Sequence, residues 1–155
     1  MERIELIEPK TELELQKAVI AWFKLSYPGE IIKGNYLSGQ TLRGKKGEIP
    51  WKKLKELKDS SGDNKNFPDL EILVVRPPYS GLFIELKKYN TTAFRKDGSF
   101  SNSKEGKRAI EQYAFGRVLE LKGYAWSFGI GLEHSKKIIK AYMENNFTPS
   151  KSETF

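Results

Sequence analysis

The 155-residue chain has no cysteine and a single histidine, His134. The absence of cysteine excludes a disulfide scaffold, a thiolate nucleophile and a thiolate zinc site, and it is consistent with a reducing cytosol. One histidine excludes a two-histidine metal site, and a Ser-His-Asp triad would have to use it. His134 stands in the segment LEHSKK near a predicted helix start, which is typical of a solvated helix residue.

Long apolar runs are also missing. No segment approaches the ~18 consecutive apolar residues that a membrane-spanning helix needs. The N-terminal segment MERIELIEPK contains acidic residues and no apolar stretch, so it does not predict a secretory signal. The length is that of one domain. We expect a single domain over residues 1–155, with a core at about 11–143, a basic insert at about 38–66 and a polar tail at 146–155.

Basic residues outnumber acidic ones, with 27 Lys and Arg against 20 Asp and Glu, and the net charge is +7. A basic balance favours a polyanionic partner, and nucleic acid is the commonest one. The alternative is an ordinary lysine-rich surface in contact with water.

The periodicity predicts a mixed β-sheet flanked by helices, an α/β domain. Thr11 and Glu14 form a capping box at the start of the first helix, and Tyr27-Pro28-Gly29 ends it. Ser103 caps a later helix that Gly123 stops. The first helix carries an apolar stripe of Leu15, Ala18, Val19, Trp22 and Phe23, and the later one a stripe of Ile110, Tyr113, Ala114, Arg117, Val118 and Leu121. Strands are predicted at 30–37, 69–76, 82–88 and 124–130, a short helix at 50–58 and a last helix at 135–145.

Two carboxylates interrupt the strands of the segment FPDLEILVVRPPYSGLFIELKK. A hairpin that turns at Pro77-Pro78 would place Asp69 opposite Glu85, or within a residue or two of it. Directly opposed Cβ atoms are roughly 4.5–5.5 Å apart, so the two charges would repel each other. A cation must therefore lie between them. Lys87 is one candidate, and Mg2+ is a better one because it takes carboxylate oxygens and keeps several waters.

The first helix offers a third acid, Glu12. Projected at 3.6 residues per turn, it falls about 50° from the centre of the apolar stripe, whereas Glu14 falls about 110° away. Glu12 is either a favourable acid in the first helical turn or an inward-facing member of the same site. Glu71 shares the strand face of Asp69 and is either a spare ligand or a strand-edge charge.

Pro68-Asp69, fifteen intervening residues and then Glu85-Leu86-Lys87 resemble the signature of the PD-(D/E)XK nucleases. The predicted element order is similar to the restriction-endonuclease-like αβββαβ core of that superfamily. The segment LKELKDSSGDNKNFPDL is similar to the lead-in to Pro-Asp in the virus-type replication-repair nuclease domain, VRR-NUC. Over about residues 11–143 the chain resembles that family.

Two helix positions extend the resemblance. Glu12 precedes Gln16 by four residues, and Gln112 in KRAIEQYAFGRVLELKGY matches the glutamine of the family's next helix. The chain departs from the family at Phe67, where glycine is frequent, and in a somewhat long insert before Pro68. Neither departure removes a charged group.

The resemblance implies phosphodiester hydrolysis with Mg2+ or Mn2+ as the cofactor. Asp69 and Glu85 would bind the metal with the backbone carbonyl of Leu86, and Glu12 would bind it directly or through water. Bound metal acidifies a water and stabilises charge that develops on phosphorus.

The resemblance gives two further residues catalytic functions. Lys87 would orient or activate the attacking water and neutralise charge at the scissile phosphate, for which a compact ammonium is suited. Gln112 would position Lys87 or a water. Without the resemblance, Lys87 could be a solubilising charge at a strand end and Gln112 an exposed helix residue.

Basic residues are candidates for phosphate contact. Lys107 and Arg108 are the best placed, since they share a helix with Gln112. Trp51, Phe94 and Phe100 lie in basic loops and either stack on bases or anchor those loops. The other basic candidates are Lys45, Lys46, Lys52, Lys53, Lys88, Arg95, Lys96 and Lys104.

The resemblance implies DNA as the partner, either plain duplex, flap or Holliday junction, in replication, recombination or repair. RNA is not excluded by the residues. Stand-alone members of the family are small, often viral and often dimeric, which implies a homodimer and, for a phage-encoded protein, the cytoplasm of a bacterial host.

A non-cleaving nucleic-acid-binding module is the alternative function. It gains nothing from clustered Glu12, Asp69 and Glu85, because these acids would repel phosphate. A two-carboxylate glycosidase would explain neither the basic balance nor Lys87.

Overall fold

The computed structural model describes residues 7–35, 52, 55–56, 62 and 65–149. Of the helix predicted at 50–58, residues 52, 55 and 56 are described, and they are helical. The predicted order of the other elements is confirmed. In chain order they are α1 (Glu12–Ser26), β1 (Ile32–Gly34), β2 (Leu70–Ile72), β3 (Leu82–Lys87), α2 (Lys104–Leu121), β4 (Ala125–Ile130) and α3 (Gly131–Met143).

The described strands form one mixed sheet in the order β1-β2-β3-β4. β1 and β2 pair antiparallel, as do β2 and β3, whereas β3 and β4 are parallel. The β2–β3 connection turns at Pro77-Pro78, beside a bridge between Arg76 and Tyr79. The parallel connection requires a crossover, and α2 supplies it.

The sheet lies between two helical layers. On one face, α1 and α3 bury a cluster that includes Phe23, Ile84 and Ile139. On the other face, α2 covers a second cluster around Phe83 and Trp126. The arrangement is the predicted α/β class, with a mixed sheet covered by helices on both sides.

The helix α1 forms as the sequence predicts. The backbone N–H of Glu14 donates to the Thr11 hydroxyl at 3.1 Å, and the Glu14 carboxylate accepts from the N–H of Lys10 at 3.0 Å. Leu15, Val19 and Phe23 of the predicted stripe are buried against the sheet. This packing fixes the direction in which the first turn, with Glu12, approaches the end of the sheet.

The helix α2 does not pack on the sheet through its predicted apolar stripe. Its buried residues are Gly106, Ala109, Gln112, Gly116 and Leu119. Gly116 rests on the indole ring of Trp126, where a Cβ atom would collide. The aromatic surface of β4 therefore selects the small-residue face of the helix, and the stripe residues Ile110, Val118 and Leu121 remain 47%, 46% and 89% exposed.

The helix α3 begins at Gly131, four residues before the predicted start at Ser135. Gly131 has φ 74°, a conformation that favours glycine, so the chain turns directly from β4 into the helix. Glu8 accepts a hydrogen bond from the N–H of Leu132 at 3.0 Å across 124 residues. The local sequence does not predict this start, because the side chain that caps the helix, Glu8, is far from it in the chain.

His134 is exposed on the first turns of α3, as expected of a solvated helix residue. Its Nδ1 accepts a hydrogen bond from the N–H of Ile130 at 2.9 Å. Although the residue as a whole is exposed, desolvation of its ring and then the charge of Lys137 lower the pKa of His134. None of the helices among the described residues has the length and apolarity needed to cross a lipid bilayer.

Candidate active site

The β2–β3 hairpin brings two carboxyl groups together. Leu70 pairs with Ile84, and one step along this register Asp69 faces Glu85, as predicted from the turn position. The backbone carbonyl of Asp69 accepts from Asn35 on the β1 side at 2.8 Å. Asp69 and Glu85 therefore form a pair without mutual backbone hydrogen bonds, in which facing Cα atoms are only about 4.5 Å apart and side chains are closest.

The side chain of Asp69 also binds the backbone of β3. Its Oδ2 accepts a hydrogen bond from the N–H of Leu86 at 2.8 Å. In the same register Leu86 faces Pro68, which has no N–H to donate. Since the N–H and C=O of one strand residue point to the same neighbouring strand, the Leu86 carbonyl faces a residue that cannot bond to it.

The two carboxyl groups are held in an unfavourable state. Burial raises the pKa of Asp69 to about 6, opposed by the hydrogen bond from Leu86 and assisted by the negative charge of Glu12. Burial, and then the charge of Asp69, raise the pKa of Glu85 well above its ordinary value. A hydrogen bond between the two carboxyl groups lowers the pKa of Asp69 and raises that of Glu85. The site therefore favours an added proton or another cation.

Lys87 lies on the same face of β3 as Glu85, two residues further along. Both side chains are only 4% exposed, which is rare for charged residues unless they are paired. The positive charge of Lys87 lowers the pKa of both Asp69 and Glu85. Its burial argues against a solubilising function.

Gln112 connects α2 to the carboxyl pair. Its Nε2 donates to Oε1 of Glu85 at 2.8 Å. The side chain is buried, and its Oε1 is a buried acceptor without a hydrogen-bond partner among the described residues. Gln112 is thus not the exposed helix residue that the sequence alone would favour, and it presents a vacant acceptor beside Glu85.

Glu12 approaches the site from the opposite helical layer. It is half-buried, and its charge raises the pKa of both Asp69 and Glu85. Within the described ranges no three His, Cys, Asp or Glu side chains are grouped as metal ligands. Glu12 therefore stands near the carboxyl pair without joining it in a three-acid group.

The donor set fits a hard divalent cation. The half-buried Asp69 and the buried Glu85 face each other, and the Leu86 carbonyl faces a proline. The Gln112 oxygen lacks a donor among the residues that the structure describes. Hard cations such as Mg2+ take oxygen ligands and keep several waters, so a site with few protein oxygens suits them. Asp69, Glu85 and the Leu86 carbonyl would hold the ion.

Several residues near the motif have other functions. Glu71 pairs with Lys33 of β1, with 3.7 Å between the charged atoms, which favours the strand-edge interpretation over a spare ligand. Phe94 and Phe100 pack with each other and with Phe128, so they anchor their loop. Trp51 lies outside the described residues.

The predicted phosphate-binding residues are exposed. Lys88 directly follows β3, and Lys107 and Arg108 lie in the first turns of α2, before Gln112. Arg95 begins a tight turn in which its N–H donates to the Ser99 carbonyl at 2.7 Å. Lys52, Lys96 and Lys104 are also exposed, and Lys45, Lys46 and Lys53 lie outside the described residues.

One buried polar residue of this region was not assigned a function from the sequence. Gln16 lies one turn after Glu12 on α1 and is 7% exposed. A Cβ atom on Gly34 would collide with its amide, so Gln16 packs on the end of β1, next to the Asn35 that holds the Asp69 backbone. The position of Gln16 between Leu15 and Val19 of the apolar stripe could have indicated from the sequence that this polar residue is buried.

The fold matches that of a solved structure described as a VRR_NUC domain protein. The two chains are 22% identical, with a TM-score of 0.51 over 88% of this chain and 91% of the other. The fold is VRR-NUC-like. No family model matches the sequence, and no curated protein does.

Proposed function

We propose that the protein is a metal-dependent nuclease that hydrolyses phosphodiester bonds in DNA, with a preference for branched structures. The observation that carries the proposal is the group formed by the half-buried Asp69 and the buried Glu85 and Lys87 at one end of a VRR-NUC-like sheet. Opposed carboxyl groups without a cation are costly in a sheet. The net charge of +7 favours a polyanionic substrate. A divalent cation bound between the carboxyl groups would relieve their repulsion.

Mg2+ or Mn2+ would acidify a water and neutralise charge at the scissile phosphate. Asp69 would offer one oxygen to the ion while its Oδ2 stays bound to Leu86 N–H. Glu85 would be held in place by Gln112. Glu12, which is not grouped with the other acids, would act through water.

Lys87 would supply the fixed positive charge at the reacting phosphate. Its ammonium is buried and held by β3, so little reorganisation is needed when negative charge develops in the transition state. Exposed basic residues would contact the DNA backbone, and each would add a modest, salt-dependent part of the binding free energy. These residues are Lys107, Arg108, Lys88, Arg95 and Lys52.

The test is cleavage of labelled duplex, flap and four-way-junction DNA in Mg2+, Mn2+ or EDTA. Wild type should cut only with metal. Lys87→Ala should cut at least about 100-fold more slowly, which is the usual effect of removing one transition-state donor. Lys88→Ala is the matched control, because the neighbouring lysine is exposed and its loss should weaken binding rather than catalysis. Metal-independent binding without cutting by wild type would refute the nuclease and favour a non-cleaving binding module.

A further inference from the structure

Tyr89 differs from every other aromatic residue that the structure describes. It is 57% exposed, whereas the others are buried or partly buried. Each of the others also packs against a second aromatic ring. In the part of the chain that the structure describes, Tyr89 belongs to none of these pairs. Its ring is therefore available to a ligand, since it is not needed to build the core.

Tyr89 lies at the same end of the sheet as the carboxyl pair. It follows Lys87, the last residue of β3, by two positions, and Lys87 pairs with Ile130 at the end of β4. The Cα atoms of Lys87 and Tyr89 can be at most about 7 Å apart. The exposed ring is therefore close to the lysine that would neutralise charge at the scissile phosphate.

The backbone at Tyr89 is held in place although the side chain is exposed. The N–H of Thr91 donates to the carbonyl of Lys88 at 3.0 Å, which closes a turn around Tyr89. A Cβ atom on Gly131 would lie 3.1 Å from the Cβ of Tyr89, so this turn packs against the start of α3. A ring on a fixed backbone loses little conformational freedom when it binds a flat ligand.

We propose that Tyr89 stacks on an unpaired base next to the phosphate that is cut. This inference rests on the proposed function, and it names the feature of the substrate that the site would recognise. Inside a continuous duplex a base is enclosed by its stacked neighbours, so the ring cannot reach its face. At a flap or a branch point one base face is free, and an aromatic side chain can stack on it whichever base it is.

The charges beside Tyr89 are compatible with a nucleotide. Lys88, the residue before it, is exposed and would contact the phosphate of the stacked nucleotide. Glu8 also approaches this turn, since its Oε1 would lie 2.9 Å from a Cβ atom on Gly131. That oxygen accepts the N–H of Leu132, at a helix start that favours negative charge. An uncharged base therefore suits the Tyr89 ring better than a phosphate does.

The first experiment measures equilibrium binding in EDTA, so that it does not depend on cutting. The probes are a labelled continuous duplex and the same duplex with a single-stranded flap. Tyr89→Ala should weaken binding of the flap DNA at least about fivefold and leave binding of the duplex unchanged. Tyr89→Phe keeps the ring and should bind both as wild type does. Leu25→Ala, at an 83% exposed residue near the end of α1, is the control and should change neither.

The outcomes separate this inference from the nuclease itself. Equal binding of the flap DNA by wild type and Tyr89→Ala would overturn the stacking, even for a wild type that cuts DNA with metal. Weak flap binding by Tyr89→Phe would assign the effect to the hydroxyl group and would also overturn it. Flap binding that depends on the Tyr89 ring, in a protein that cuts with no metal, would support the stacking and refute the nuclease.

The second experiment locates the stacked base. The probe is flap DNA with 5-iododeoxyuridine at one unpaired position at a time, which crosslinks under ultraviolet light to an aromatic side chain stacked on it. Wild type should crosslink through Tyr89 at the unpaired position next to the branch point, as identified by mass spectrometry of the peptide. Tyr89→Ala should lose this crosslink. A crosslink to a different aromatic residue in its place would overturn the proposal.

Discussion

The Nε2 atom of Gln112 lies 2.8 Å from Oε1 of Glu85 and joins helix α2 to the carboxyl pair of the sheet. We propose Glu85 as a metal ligand, and loss of a hydrogen bond that orients a metal ligand typically costs about 10–100-fold in metal affinity or activity. We expect Gln112→Ala to require a correspondingly higher Mg2+ concentration for half-maximal cleavage. Titration of the cleavage rate with Mg2+ measures the effect.

Glu111→Ala, at the neighbouring exposed position of the same helix, is the control for this substitution. It should leave the Mg2+ requirement unchanged. An unaltered Mg2+ requirement in Gln112→Ala would show that the hydrogen bond only stabilises the fold.

The carboxyl pair predicts an unusual pH dependence of stability in EDTA. The pKa of Asp69 rises from 3.8 to about 6 on folding, and that of Glu85 also rises. The folded state therefore binds more protons than the unfolded state, and stability falls as pH rises through this interval. We expect these two groups to lower the Tm in EDTA as the pH rises from about 4 to about 6, and the raised pKa of Glu85 acts in the same direction as that of Asp69.

Two comparisons isolate that effect. Asp69→Asn/Glu85→Gln should lack this pH dependence, since neither group can then titrate. Mg2+ should raise the Tm of wild type at neutral pH by binding the folded state and leave the double variant unchanged. The same pH dependence of the Tm in wild type and in the double variant would contradict the raised pKa values.

Glu8 caps a helix that lies 124 residues away in sequence. Replacing a capping oxygen typically costs about 0.5–2 kcal/mol, and a carboxylate at a helix N-terminus adds a favourable charge interaction. We therefore expect Glu8→Ala to lower the free energy of unfolding within this range, as measured by urea denaturation. Ile7→Ala, at an exposed neighbour, should be nearly neutral. Equal stability of the two variants would mean that the cap is not formed in solution.

Gly116 is predicted to tolerate no side chain. The Trp126 ring occupies the position of its missing Cβ, and overpacking a filled core costs typically about 1–3 kcal/mol. Alanine normally stabilises a helix relative to glycine, so Gly116→Ala should reverse the usual sign and lower the Tm. Leu25→Ala, at an exposed helix position, should change the Tm little. A raised Tm for Gly116→Ala would show that α2 packs less closely on β4.

Local patterns predicted the elements of this fold well. The capping box at Thr11 and the N-cap at Ser103 both form as expected, because they depend on residues a few positions apart. The facing of Asp69 and Glu85 followed from the turn position alone. These features need no knowledge of the distant parts of the chain.

Features that depend on distant contacts could not be predicted. The buried face of α2 is set by Trp126, whose flat ring favours glycine over the larger residues of the apolar stripe. The start of α3 depends on Glu8. Lys87 is buried although it lies at the end of a strand, where the sequence alone also allows an exposed charge. The functions of the site residues remain predictions.

The N–H of Leu86 donates a hydrogen bond to Oδ2 of Asp69. This side-chain bond takes the place of a backbone hydrogen bond between β2 and β3, because Pro68, which faces Leu86, has no N–H to donate. The Asp69 side chain thus joins the start of β2 to the end of β3. Asp69→Ala would remove both this hydrogen bond and a proposed metal ligand, so the loss of activity in that variant would have two possible causes. Asp69→Asn keeps an amide oxygen for the Leu86 N–H and removes the charge. It therefore separates the mechanical contribution of this residue from its chemical one.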